Sequence, residues 1–590
     1  MVAHQNAASF FNKRIYLLCL LTVLALFIIG GRLFYLQVIK GFSFSELSKN
    51  NRIRKIRLVP PRGFIFDRQG RLLVDNRPSY DAVAEIEDIK LTPDFYKIVA
   101  PILDISEEKL KKQVRSLLHS PYVPVVLRKD MDMAMLTRVE EIQNLVPALK
   151  VQISPVREYL IKGAASHVLG YVGKINEKEW ERLDPLLYDK EDWIGKSGIE
   201  DLVNDSLHGI PGGMQVEVDF KGFLNKVLSQ KDPVAGHDIY LTIDQDLQGI
   251  VRGTLADWRG AVVVMNVNSG EILAMVSAPD FDPNIFLSSK NSYAVSKIMQ
   301  DQESVLLNRA LAGLYPPGSP FKLIVALAAL EEGIIQKDTA FFCGGYFELG
   351  SGKFACWKKD GHATVDVTKA IQYSCNVFFY HVGLKLGREK IVEWSRRFGL
   401  GEKTSDDLWS EKNGSLPNNE WLEKKNIKWN QGDTVNISIG QGYLVVTPIQ
   451  LVRMIATIAT RGRLVTPHLI QSDKKYPEKH VSVTQETWDI IQHAMFEVIH
   501  GVDGTGALAN TSEVAVAGKT GTVQTRSKDK QRLLTWFTGY APYENPEIAL
   551  AMVLEGGVSG GKSAAPLAKK IFEFYFKDHN TKVQHDLART

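Results

Sequence analysis

Residues 15–31, "IYLLCLLTVLALFIIGG", carry no charge, and only Tyr16, Cys19 and Thr22 are mildly polar. Such a run has few folding options, because its backbone N–H and C=O groups must pair within the segment, which makes it a helix. At about 1.5 Å per residue it reaches most of the way across a bilayer core of about 30 Å. Residues 33–38 extend it past Arg32. The alternative is a cleaved signal peptide. The apolar region is longer than such peptides use, and no Ala-x-Ala-like site follows, so it reads as an uncleaved anchor. Flanking charge does not orient it: Lys13 and Arg14 precede the run, while Lys40, Lys49, Arg52 and Arg54 follow. A long C-terminal domain crosses a membrane largely regardless of its charge.

The chain of 590 residues has room for two or three domains. A formal charge of +4 with no long basic run argues against nucleic acid as a partner. Residues 51–77 read as short strands around a turn at Gln69-Gly70, and residues 105–149 as charged, helix-prone segments. "HVLGYVGKI" (167–175) and the glycine-rich "LHGIPGGMQVEVDFKGF" (207–223) follow. No cluster of catalytic residue types appears in this half, which reads as an extended positioning module.

Beyond residue 246 the texture changes. "GAVVVMNVNSGEILAMVSAP" (260–279) is two β-rich runs around Asn268-Ser269-Gly270, a hairpin signal. "VAVAGKTGTVQT" (514–525), "LLTWFTGYAP" (533–542) and "EIALAMVLEGG" (547–557) are three more strands, with turns at the charged tip 526–532 and at 543–546. A last helix, "APLAKKIFEFYFKDH", has an apolar stripe suited to covering a sheet. The expected fold is α+β, with an antiparallel sheet of about five strands, helices on its faces and a helical insertion.

Three short segments carry the chemistry: Ser319-Pro320-Phe321-Lys322, Ser374-Cys375-Asn376 and Lys519-Thr520-Gly521-Thr522. Ser319 before Pro320 could simply cap a helix. Against that, Lys322 falls in the first turn, where the helix dipole disfavours a cation. A serine hydroxyl needs a neighbouring base. Lys322, three positions on, lies on the same helix face and can reach the Ser319 oxygen. Desolvation and crowding by Lys519 would lower its pKa enough for that role. Backbone N–H groups of Ser319 and Thr522 can form an oxyanion hole. Ser374 can relay a proton, Asn376 can hold a substrate amide, and Lys519 with Thr520, Gly521 and Thr522 can hold a carboxylate.

In this order the three segments resemble the signature of the penicillin-recognising serine acyltransferases. "RGFIFDRQGRLL" (62–73), "HVLGYVG" (167–173), "GKSGIED" (195–201), "NRALAGLYPPGSPFK" (308–322), "GQGYLVVTP" (440–448) and "WFTGYAP" (536–542) resemble class B penicillin-binding proteins, most of all the elongation-type members. The resemblance runs from about residue 15 to 575. It implies a cytoplasmic tail (1–14), a transmembrane helix (15–38), a pedestal or dimerisation-type domain (39–245), a transpeptidase domain of serine β-lactamase type (246–578) and a C-terminal tail (579–590). It further implies a single-pass protein of the bacterial inner membrane with its catalytic domain in the periplasm, acting on peptidoglycan stem peptides and acylated by β-lactams. Implied partners are a SEDS-family glycosyltransferase and rod-shape scaffold proteins; no organic cofactor is implied. Thr535 departs from the family pattern, which often has a polar ring before the Trp-Phe pair.

Cys343, Cys356 and Cys375 fall close together with His362, while Cys19 lies in the apolar run. One reading is a Cys343–Cys356 disulfide with an inert Cys375. The other is a closed structural zinc site of three thiolates and one imidazole. Elongation-type relatives carry metal ligands at matching places, often aspartates, and this resemblance favours zinc. Other readings fit less well. A β-lactamase needs a water-positioning carboxylate motif and has no use for a pedestal. A β-lactam sensor needs a cytoplasmic effector region, and a bifunctional synthase needs a glycosyltransferase domain. An inactive scaffold would not require the intact triplet, and a division-type member remains the nearest alternative.

Overall fold

The computed structural model describes residues 2–587, apart from 43–52, 85, 117–124, 191, 219–223, 288–290, 302 and 528–529. Lys49 and Arg52 therefore lie outside the described residues. So do the 219–223 end of the glycine-rich segment, positions 528–529 of the charged tip, and residues 588–590 of the C-terminal tail. Helix α1 (Val2–Phe34) contains the apolar run. The stretch Ile15–Ile39 reaches a mean hydropathy of 2.4 and has no buried residue, with Phe27 80 % exposed. An apolar helix with no packed face suits lipid rather than water, consistent with a single-pass membrane anchor.

The chain forms two compact units that do not follow its order: residues 1–60, 78–154 and 210–234, and residues 61–77, 155–209 and 235–590. The first holds a three-stranded antiparallel sheet from Ile53–Leu58, Gly212–Val218 and Leu224–Lys231. It also holds a small core built around Phe95, Val99, Leu110, Met135 and Val139. The helix-prone stretch resolves into helices Glu107–Ser116 and Met133–Ile142, with a strand, Val125–Arg128, between them. That strand alternates buried and half-buried residues, the period-2 pattern that helix propensity alone had masked.

In the second unit, Arg62 and Arg157 clasp the fully buried Glu200 of the "GKSGIED" segment at 2.8 and 2.6 Å. This offsets the burial of a carboxylate with two charge-assisted pairs. The main sheet is antiparallel and five-stranded. Its hairpin, β1 (Gly260–Asn266) and β2 (Ile272–Ala278), turns where the Asn266 side chain accepts from the backbone of Asn268 and Ser269 and Gly270 takes φ +83°. The central helix α2 (Lys322–Glu331) is buried from Lys322 to Ala329. Next come α3 (Val367–Gln372) and α4 (Asn376–Arg397), which breaks at Gly387. Helix α5 (Pro448–Ala459), buried along its whole length, opens with a Thr447/Gln450 capping box, and α6 (Gln485–His500) follows. Strands β3 (Ala517–Ser527), β4 (Lys530–Ala541) and β5 (Ile548–Glu555) complete the sheet in the order β2-β1-β5-β4-β3. Helix α7 (Ala565–Leu587) buries Ala565, Ala568, Ile571, Phe572 and Phe576, the expected apolar stripe. The expected α+β fold is present, and β3 forms the sheet edge.

Candidate active site

Ser319 sits where two glycines let backbones touch. Gly318 has φ +61° and donates its N–H to the Gly440 carbonyl at 2.8 Å. A Cβ on Gly440 would lie 2.2 Å from the Gly318 oxygen, so a side chain there would force the two segments apart. Ser319–Phe321 is a 3-10 turn, and the α-helix starts at Lys322. The Ser319 side chain caps nothing. Its Oγ instead accepts from, or donates to, the Ser374 Oγ at 2.9 Å.

Lys322 is fully buried. Its Nζ donates to the Ser374 carbonyl (2.9 Å) and to Asn376 Oδ1 (2.7 Å), and lies 3.3 Å from Ser374 Oγ. The expected direct bond from Lys322 to Ser319 is replaced by a path through Ser374. The cause is backbone geometry. Ser374 holds φ +54°, with its N–H bonded to the Ile371 carbonyl, and its hydroxyl lies between the Ser319 and Lys322 side chains. Burial pulls the Lys322 pKa down to about 8, against the raising effect of the neighbouring Cys375, Cys356 and Cys343 side chains. The crowding expected from Lys519 acts in the other direction: Lys519 is pushed well below its ordinary value, by burial first and by Lys322 second.

Lys519, Thr520 and Thr522 line the edge strand. Lys519 is fully buried and donates to the Thr520 carbonyl at 3.1 Å. Thr522 Oγ1 accepts from the Gly560 N–H at 3.1 Å. A Cβ at Gly521 would lie 2.7 Å from Pro320 Cδ, so glycine lets the strand close on the serine turn. Trp536, opposite Gly521 in register, donates its Nε1–H to the Pro316 carbonyl at 3.1 Å and fastens the sheet to the same turn. Thr535 is buried and donates to the Gly556 carbonyl, a structural bond in place of a polar ring. Gly560 and Trp536 were not legible as contributors from sequence. "WFTGYAP" marked the family, but only the strand register shows what the indole holds.

Cys343, Cys356, His362 and Cys375 converge, with one ligand atom from each lying within 4.8 Å of the others. Both Cys343 Sγ and Cys356 Sγ are 3.5 Å from His362 Nδ1. A tetrahedral zinc with bonds of about 2.3 Å to sulfur and 2.0 Å to nitrogen requires an S···N edge of about 3.5 Å, so the donor set and spacing fit. No disulfide links these thiols, and the Cys343–Cys356 alternative is absent. Cys356 is the readily ionised thiol: Cys375 and His362 hydrogen-bond it and the Asn376 N–H points at its sulfur, which together pull its pKa far down. Cys375 is correspondingly pushed up.

Every candidate of the triplet thus lies in one cradle, and the four metal candidates lie directly behind Ser374. The chain matches the penicillin-binding protein transpeptidase domain over residues 260–573 and the penicillin-binding protein dimerisation domain over 57–241. It is 36 % identical to the peptidoglycan D,D-transpeptidase MrdA of Acinetobacter baumannii, covering 97 % of this chain and 88 % of that protein. Its fold is similar to penicillin-binding protein 2 in its complex with MreC from Helicobacter pylori, with TM-score 0.80, 30 % identity, and 89 % and 99 % of the two chains covered. A chain of a peptidoglycan synthase complex that coordinates polymerization and crosslinking matches with TM-score 0.73 and 29 % identity over 96 % and 98 %. The chain belongs to the class B penicillin-binding proteins, serine acyltransferases of the D,D-transpeptidase type.

Proposed function

We propose that this chain is the peptidoglycan D,D-transpeptidase of cell-wall elongation, with Ser319 as its nucleophile. Ser319 Oγ attacks the carbonyl of the penultimate D-alanine of a stem peptide. Terminal D-alanine leaves, and an amine of a neighbouring strand takes the acyl group. β-Lactams acylate the same oxygen.

The observation that carries this reading is the hydrogen-bond count at Lys322. A neutral amine has two hydrogens and one lone pair. Two acceptor-only oxygens, the Ser374 carbonyl and Asn376 Oδ1, take the hydrogens. In that neutral form the lone pair is left to accept the Ser374 proton across the 3.3 Å contact, and the 2.9 Å contact between the two hydroxyls then lets the Ser374 oxygen accept from Ser319 instead of donating to it. Deprotonation of Ser319 therefore runs through Ser374 to Lys322, and the reverse path delivers a proton to the leaving amine. A lysine pKa of about 8 suits a base working near neutrality. Backbone N–H groups of Ser319 and Thr522 serve the oxyanion, while Lys519 and the Thr522 hydroxyl take the substrate carboxylate and Thr520, whose proton goes to Thr505, shapes the strand beside them.

Cys343, Cys356, His362 and Cys375 hold a structural zinc. When bound it supplies a crosslink that fixes the backbone at Cys375, and with it the flanking Ser374 and Asn376. The domain layout expected from the sequence, with α1 as inner-membrane anchor, a pedestal to about residue 245 and a periplasmic catalytic domain, belongs to this reading. So do rod-shape scaffold and SEDS glycosyltransferase partners, in line with the assemblies in which its structural relatives were solved. Retention of a fluorescent penicillin by the purified full chain, lost in Ser319→Ala, tests the reading. Rapid turnover of the label would instead indicate a β-lactamase.

A further inference from the structure

Loop 501–506, "GVDGTG", runs between α6 and the approach to β3 and belongs to none of the three motifs. Thr505 in this loop donates its hydroxyl proton to the Gln372 carbonyl at 3.2 Å, two residues before Ser374. Thr520, in the edge strand, lies 2.9 Å from the Thr505 Oγ1. A carbonyl only accepts, and Thr505 has one proton, so its oxygen must accept from Thr520. The polarity of the chain Thr520→Thr505→Gln372 is thereby fixed. Thr522 is arranged oppositely: it accepts the Gly560 N–H and keeps its proton free for a ligand.

The loop is clamped on both sides. Gln372, itself buried, donates its Nε2–H to the Val502 carbonyl at 2.7 Å. A Cβ at Gly501 would lie 2.5 Å from that nitrogen, and one at Gly561 would lie 2.3 Å from the Thr505 carbonyl. Thr505 is therefore the point at which the segment carrying Ser374, the strand carrying Lys519 to Thr522 and the Gly560-Gly561 turn are tied together.

We propose that Thr505 is a positioning residue for acyl transfer: through its hydroxyl it orients Thr520 and sets the separation between the edge strand and the Ser374 turn. This rests on the reading of Ser319 as nucleophile. Loss of the hydroxyl frees Thr520 to rotate and loosens the cradle around the carboxylate, while Thr505→Ser keeps the bridge. A single bond of this kind corresponds to about a tenfold change in rate.

The test is the second-order rate constant for acylation of the full chain by benzylpenicillin, measured in wild type, Thr505→Val, Thr505→Ser, Thr520→Val and the Thr505/Thr520 double valine variant. Thr505→Val should acylate about tenfold more slowly, Thr505→Ser should stay within about twofold of wild type, and the double variant should be no slower than Thr520→Val alone. A wild-type rate in Thr505→Val overturns the proposal, as does a Thr505→Ser as slow as the valine, or losses that multiply in the double variant. Failure of wild type itself to acylate would sink the Ser319 reading instead, so the two outcomes are distinguishable.

Discussion

Ser374 and Cys375 are neighbours in sequence, yet they face two differently built regions. Ser374 faces a cradle whose parts belong to large elements: the buried helix α2 and the five-stranded sheet. Its polar groups satisfy one another in a closed set of bonds around Lys322. Cys375 faces a cluster carried by two-stranded pieces only three or four residues long, Phe341–Cys343 with Ala363–Val365 and Tyr346–Leu349 with Gly352–Ala355. Half of their residues are exposed, including Phe342 at 70 %, while Phe341, Phe347, Leu349 and Phe354 are only partly buried against the core. Hairpins of that size do not hold themselves together in water. The buried His362 Nε2 also lacks a hydrogen-bond partner. The comparison teaches that the cradle is built into large packed elements, whereas the segment behind it rests on short strand pairs, where the zinc proposed for the four converging ligand atoms would add a crosslink.

Breaking the cradle should have the largest effect. Lys322→Met removes the base and leaves Ser319 and Ser374 without a proton acceptor. Acylation by penicillin, followed by stopped-flow or quench, should fall by about a thousandfold or more. Ser374→Ala should cost about a hundredfold, because the path from Ser319 to Lys322 runs through that hydroxyl.

Breaking the cluster should act through structure. Cys356→Ser or a strong chelator should release one equivalent of zinc, measured by elemental analysis, and lower the thermal midpoint by several degrees. Acylation should slow by about tenfold while the α2–sheet core stays folded by far-UV circular dichroism. A metal-free protein with full activity and unchanged stability would break the comparison.

Titration gives a graded test. Burial lowers Lys322 from 10.5 to about 8, so its neutral form is the minority below that pH and the majority above it. The acylation rate should rise about tenfold per unit between pH 6 and 7.5 and level off above about 8.5. A flat profile would mean that Lys322 is not the base. The smallest effect is expected at Trp536: Trp536→Phe keeps the ring but loses the bond to Pro316, and should cost about 1 kcal/mol of stability with less than a threefold change in acylation.

Much of this was legible in the sequence because each signal had a local physical cause. The apolar run forces a helix, Asn268-Ser269-Gly270 forces a hairpin, and the triplet's order and spacing fix a chemistry. The strand at Val125–Arg128 was masked by charged neighbours, since its period is visible only once burial is known. The indirect path from Lys322 to Ser319 was not legible either, because it depends on the positive φ of Ser374, which nothing in "YSCNV" announces. Thr505 was missed for a related reason: its partners are 15 and 133 residues away. A hydroxyl that joins distant segments leaves only a glycine-rich loop as its sequence trace.

The most direct measurement is peptide mapping by mass spectrometry after brief exposure of the full chain to a penicillin. One acyl adduct should appear, confined to the peptide that contains Ser319, and it should persist for longer than minutes. An adduct on another residue, or none in a folded protein that retains its cradle, would contradict the assignment of Ser319 as the reactive alcohol.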